Sequence, residues 1–263
     1  MLTYARSQGA LWAFVRQSRV NDERIHDLRG ALKRLRSVVS LMDLSGIKTG
    51  TMDDRLGTWS RQLGSVRDQA VVEAWLEKNS GGIKLLKPMS RPRAEAKNRR
   101  IRPIAKGVRA LIVEMAERLA RDEDGIDVAS ALKKSFKRAR DSWAKATFTG
   151  KPKDFHRLGK RIKHLQYQIE ACRKESEGAE KVLRELRKLS QRLGHFNDLW
   201  LVENFLEFHS EEMIDGRAVF KKLRDEQASE RKSINEGTKA IFSIKPNAFV
   251  AQVFDLDIPP DKI

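Results

Sequence analysis

His26 recurs as His156, 130 positions further on, and the same ungapped shift places Leu28 on Leu158, Lys33 on Lys163 and Leu35 on Leu165. It continues through Leu56 and Leu186, Ser60 and Ser190, Leu63-Gly64 and Leu193-Gly194, Asp68 and Asp198, Val72-Glu73 and Val202-Glu203, and Leu76-Glu77 and Leu206-Glu207. Leucines coincide often by chance in helical sequence, but His, Gly and Asp in one register do not. An internal repeat of this length constrains the fold before any local pattern does. The 263 residues therefore read as two halves, about 1–125 and 126–245, related by an approximate twofold axis. Together they form one domain over 1–245 rather than two independent ones, with 246–263 as a C-terminal tail.

Within each half the apolar residues recur at three- and four-residue spacing, as in Leu28, Leu32, Leu35, Val39 and Met42, and no stretch alternates with period two for long. The pattern predicts an all-α chain. Gly and Pro clusters at Ser45-Gly46 to Gly50, Ser80-Gly81-Gly82, Lys87-Pro88 to Pro92, Asp124-Gly125, Gly150-Lys151-Pro152 and Asp215-Gly216 punctuate it. Between them the expected helices span about 2–18, 22–44, 52–78, 93–122, 127–147, 154–175, 178–209 and 217–241, four to each half. From Lys245 onward Pro246, Pro259 and Pro260 read as an extended tail, either packed back or mobile.

Lys and Arg total 53 against 36 Asp and Glu, a net charge of +17, while 40% of the residues are hydrophobic. That apolar content argues against a disordered basic tail. A charge excess of this size repels itself and points to a polyanionic partner: nucleic acid, an anionic membrane or a phosphate polymer. The single cysteine, Cys172, excludes an intramolecular disulfide framework and any cysteine-built metal site. No signal-peptide pattern or transmembrane run is legible, so the expectation is a cytoplasmic protein without a membrane partner.

The positive charge is patterned. His26, Arg29, Lys33 and Arg36 fall at i, i+3, i+7 and i+10, one narrow stripe at about 100° per residue. The repeat partner carries His156, Lys160 and Lys163, with Tyr167 near the same stripe. Arg99, Arg102, Lys106 and Arg109 form a third stripe, and Lys133, Lys137 and Arg140 a fourth. Like charges at this spacing weaken an isolated helix by a few tenths of a kcal/mol per pair. Solvated surface faces would account for any one stripe. Across a twofold axis, however, equivalent stripes can face each other over a central groove where their fields add, and Lys and Arg there would hold phosphate oxygens.

Other chemistry finds little support. GxxxxGK[ST], GxGxxG, HExxH and GxSxG are absent, and neither His26 nor His156 has a second ligand at i+3 or i+4. Asp68 and Asp198 read as partners of basic residues on a neighbouring helix. Trp59, Trp75, Trp143 and Trp200 lie on apolar stripes, which favours core packing over base stacking. No cofactor is expected, nor catalysis.

Four runs carry a family resemblance. Ile25-His26-Asp27-Leu28-Arg29 through Lys33-Arg34-Leu35-Arg36, then Leu63-Gly64-Ser65-Val66-Arg67-Asp68, then Phe155-His156-Arg157-Leu158 through Lys163-His164-Leu165-Gln166-Tyr167, and Leu193-Gly194-His195-Phe196-Asn197-Asp198 resemble, in order, the twin motifs of the CHAD family, the conserved histidine alpha-helical domain. The resemblance covers all but the tail. It implies a pseudo-twofold-symmetric helical bundle of two four-helix halves whose central basic groove binds inorganic polyphosphate without catalysis, on polyphosphate granules. It also gives Arg34 a place among the binding residues. The alternatives are a basic nucleic-acid-binding or nucleoid-associated protein, with nucleic acid the weaker ligand, and an unrecognised metal-dependent phosphohydrolase.

Gly159, His164 and Gln166 stand where the first repeat has Arg29, Arg34 and Arg36, while Lys160 and Arg161 add charge where it has Gly30 and Ala31. On this reading the first stripe binds more strongly than the second. Contact of His26 and His156 with phosphate would make binding tighten as pH falls from about 8 to 6.

Overall fold

The computed structural model describes residues 1–14, 22–63, 65–79, 94–121, 127–172, 176–209 and 216–256. Among them are ten helices and no strand: α1 (Leu2–Phe14), α2 (Asp22–Leu44), α3 (Met52–Gln62), α4 (Ser65–Asn79), α5 (Ala94–Arg121), α6 (Val128–Thr149), α7 (Pro152–Cys172), α8 (Glu177–Phe208), α9 (Gly216–Phe242) and α10 (Pro246–Phe254). The expected breaks at Ser80–Gly82, Lys87–Pro92, Asp124-Gly125 and Asp215 lie outside the described residues. Several helix ends carry their signal in sequence. Asp127 accepts from the Ser130 amide at 2.8 Å and starts α6, and Gly150 at φ 63 closes it.

Periodic apolar faces assemble three main clusters. Leu28, Leu32, Leu35 and Val39 of α2 meet Leu56 of α3 and Ile104, Val108, Leu111 and Met115 of α5 in the first. Phe136 of α6, Phe155, Leu158, Ile162 and Leu165 of α7, Leu186 and Leu193 of α8 and Ile234 and Phe242 of α9 fill the second. The third holds Val72, Trp75 and Leu76 of α4 with Leu199, Val202 and Leu206 of α8 and Val219 and Leu223 of α9. Val72 and Val202, and Leu76 and Leu206, which match across the sequence repeat, lie together in this cluster. Glu226 of α9 seals it, accepting from Trp75 Nε1 at 3.4 Å and lying 2.9 Å from His195 Nε2 of α8. The two halves also join where α2 packs on α7 and α6.

Two expectations need correction. The single helix expected over 52–78 is two, α3 and α4, while its repeat partner α8 runs unbroken. Leu63 ends α3 with its amide turned to the carbonyls of Arg61 and Trp59. The stretch expected to be extended from Lys245 forms α10 instead. Lys245 is the extended cap and Pro246 opens the helix, where proline's fixed φ and missing N–H are no handicap. Phe249 is fully buried and stacks on Phe136 at 4.2 Å between ring centroids, so this segment completes the second cluster. Pro259 and Pro260 lie outside the described residues. Among the described residues no helix is long and apolar enough to cross a membrane.

Candidate functional site

The crossing of α2 and α7 places cationic side chains side by side. Gln168 of α7 donates to the Ser37 carbonyl of α2 at 3.3 Å, and the Arg34 guanidinium lies 5.4 Å from the centre of the Tyr167 ring. Beside these contacts Arg36 comes close to Lys160 and His164 of α7, and Asp53 enters from the first turn of α3. Arg36 gives Nε and Nη2 to the two Asp53 carboxylate oxygens at 2.8 and 2.7 Å. A Cβ on Gly57 would lie 3.7 Å from Arg36 Cζ and 3.6 Å from Arg61 Nη1, so both guanidiniums lean over bare α3 backbone. On the α6 side of α7, Arg138 and Arg157 lie near Arg161.

The electrostatics record this crowding. Burial, then the charges of Arg36 and Arg161, push the His164 imidazole down to about 4, with Lys160 acting in the same direction and Asp53 opposing. Partial burial and the charges of Arg36 and Arg157 lower the Lys160 ammonium, and partial burial with Arg138 and Arg157 does the same to Arg161. Burial alone would raise the Asp53 carboxyl. The hydrogen bonds and charge of Arg36 outweigh it and hold Asp53 below the usual carboxylate range. Cations crowded in this way favour an added anion.

The residues expected at the site divide. His26, Arg29, Lys33, Arg34 and Arg36 on α2 and His156, Lys160 and Lys163 on α7 lie on the two crossing helices, with His26, His156 and Lys160 exposed. The α5 and α6 stripes do not join them. Gly107 of α5 abuts Trp59 and Glu114 pairs with Arg55 at 2.8 Å, so α3 lies on that flank, whereas exposed Arg102, Lys106 and Arg109 lie round the other side. The Arg99 side chain lies outside the described residues. On α6, Ala131 packs with Leu41 and Leu44 of α2, and Arg138 neighbours Arg161. Lys137 and Arg140 are about 100° and 200° around the helix from Arg138, and Lys133 is on their side. Periodicity fixes which residues share a helix face, not where that face points.

Arg29 and Gly159 differ for a structural reason. Arg29 Nη1 donates to the Leu63 carbonyl at 3.1 Å, a group exposed by the α3 break. In the second half α8 is continuous, its Leu193 carbonyl belongs to the helix, and a Cβ on Gly159 would approach Leu193 Cβ to 3.4 Å. Gly159 thus faces Leu193 across the contact of α7 and α8, with room for a Cβ in ordinary contact. Arg29→Gln should lower unfolding free energy by about 1 kcal/mol, read from the urea midpoint at unchanged m. An unmoved midpoint would show that the Leu63 carbonyl does not depend on Arg29. Arg36 is likewise engaged within the protein, so the cationic advantage expected for α2 is offset by Arg157, Lys160 and Arg161 on α7.

A scan against protein families matches the CHAD domain over residues 5–207. The chain belongs to the CHAD domain family. A search of curated proteins finds no match. Among solved structures, this CHAD domain is similar to one described as the crystal structure of the CHAD domain from the plant Ricinus communis. The identity is 17%, over 98% of this chain and 89% of that one, with a TM-score of 0.49. The histidine-headed runs beginning at His26 and His156 fall on α2 and α7, the helices whose crossing builds the cationic cluster. Sequence patterning missed His164, Arg161 and Asp53 of the CHAD domain beside this cluster, because each has a charged neighbour on another helix, and it missed Arg157, which neighbours Lys160 and Arg161 on α7 itself.

Proposed function

We propose that this CHAD domain binds inorganic polyphosphate at the crossing of α2 and α7, without turning it over, and through that binding associates with polyphosphate granules in the cytoplasm. The observation that carries the reading is the gathering of Arg36, Lys160 and Arg161 around His164, with Asp53 bonded to Arg36 and with His164 and Lys160 pushed away from their charged forms. A bound chain of phosphates would replace mutual repulsion with charge-assisted hydrogen bonds, bidentate at arginine. A thin, flexible polymer with a charge on each phosphate suits a compact cationic cluster at a helix crossing better than a wide duplex does. Stacking of nucleobases has little to use here, since the Tyr167 ring is already covered by Arg34.

Competition at about physiological salt tests this. Long-chain polyphosphate should displace duplex DNA, single-stranded RNA and heparin, with affinity falling steeply as salt rises, the signature of counterion release. DNA or RNA binding as tightly as polyphosphate would favour a nucleic-acid-binding protein instead. Release of orthophosphate from the polymer would show an enzyme.

A further inference from the structure

Arg36 meets Asp53 as an arginine meets phosphate, with two parallel N–H donors on two oxygens of one anion. The pair is only partly sheltered, at 33% exposure for the Arg36 side chain and 47% for Asp53, so it is weakly held. Asp53 would not be stranded by losing Arg36, because it stays half in water on the first turn of α3, where the helix dipole favours a carboxylate. Nor does the fold require the pair. The repeat counterparts of Arg36 and Asp53 are Gln166, which donates to Glu170 at 3.0 Å, and Leu183, which is buried in the second cluster.

We propose that Asp53 is an internal competitor for the phosphate site: its carboxylate occupies the Arg36 fork until a chain of linked phosphates displaces it. A lone phosphate would have to win Arg36 from a tethered anion with a single contact. A polymer engages Lys160 and Arg161 at the same time, and those contacts raise its effective concentration at Arg36. Asp53 thus makes the site selective for long chains over orthophosphate and pyrophosphate. The inference rests on polyphosphate being the ligand.

Calorimetric titration with long-chain polyphosphate and with pyrophosphate, on folded variants of unchanged helicity, tests it. Asp53→Asn should bind the polymer about fivefold more tightly and gain proportionally more for pyrophosphate, narrowing the preference for long chains. Asp54→Asn removes the same charge one residue away, on a side chain with no bond to Arg36, and should gain less than twofold. In an Arg36→Gln background, Asp53→Asn should gain no more than Asp54→Asn does, less than twofold, which separates competition for the fork from plain repulsion of the ligand. Gains in Asp53→Asn no larger than in Asp54→Asn, or equal gains with and without Arg36, would overturn the competitor role while leaving polyphosphate binding intact. Failure of both the wild type and Asp53→Asn to bind the polymer would overturn the proposed function and the competitor with it.

Discussion

Replacing Arg157, Lys160 and Arg161 together with glutamine is expected to weaken binding of long-chain polyphosphate roughly a hundredfold at physiological salt, with no loss of folding stability. Each lost cation forfeits about 1 kcal/mol of charge-assisted contact in a half-exposed site, and ~3 kcal/mol is about two decades in affinity. The salt dependence should flatten as well, because fewer counterions are displaced from the polymer. Stability is expected to hold or rise. Partial burial and cationic neighbours disfavour the charged forms of Lys160 and Arg161, so the folded protein carries their repulsion at neutral pH. Isotherms and thermal melts on one preparation check both halves of the expectation. A variant that binds normally, or that melts several degrees lower, would mean that these side chains serve the fold and not a ligand.

The second large effect belongs to His164. Its folded pKa, about 4, lies below the ordinary histidine value near 6.5, so between these limits the unfolded chain binds a proton that the folded one refuses. The contribution is present above about pH 6.5 and is lost as pH falls toward 4. It amounts to about 3 kcal/mol over the whole window and about 2 kcal/mol by pH 5. Chemical denaturation at pH 7.5 and 5 should show a drop of that size in the wild type and a smaller one in His164→Gln, and the difference isolates this residue from the other histidines. A ligand changes the sign of the local field. Phosphates beside Arg36, Arg161 and Lys160 favour the imidazolium, so polyphosphate binding should take up protons between pH 5 and 7 and tighten as pH falls through that range. Equal pH slopes in wild type and His164→Gln would remove His164 from the site.

The helical class was legible in the sequence, because apolar periodicity along one helix is local information. His26 through Arg36 and His156 through Lys163 could be placed on helix faces from spacing alone. The direction of those faces could not, which is why the α5 stripe of Arg102, Lys106 and Arg109 and the α6 stripe of Lys133, Lys137 and Arg140 looked equivalent to the others. Asp53 escaped notice because its partner, Arg36, is on a different helix and no pattern links the two. His164 looked like a lost arginine; its altered chemistry arises from burial and then from the charges of Arg36 on α2 and Arg161, with Asp53 opposing. Pro246 was read as a breaker, although proline is equally at home in the first turn of a helix, and the buried Phe249 behind it marks the difference.

Binding at one place on the protein, and not attraction to positive charge anywhere, is the claim most open to test. Two variants remove the same three charges: Arg157→Gln with Lys160→Gln and Arg161→Gln at the crossing of α2 and α7, and Arg102→Gln with Lys106→Gln and Arg109→Gln on the exposed flank of α5. Titrated side by side with long-chain polyphosphate at physiological salt, the first should lose roughly a hundredfold in affinity and the second less than about fivefold. Equal losses in the two would contradict a site at the crossing of α2 and α7.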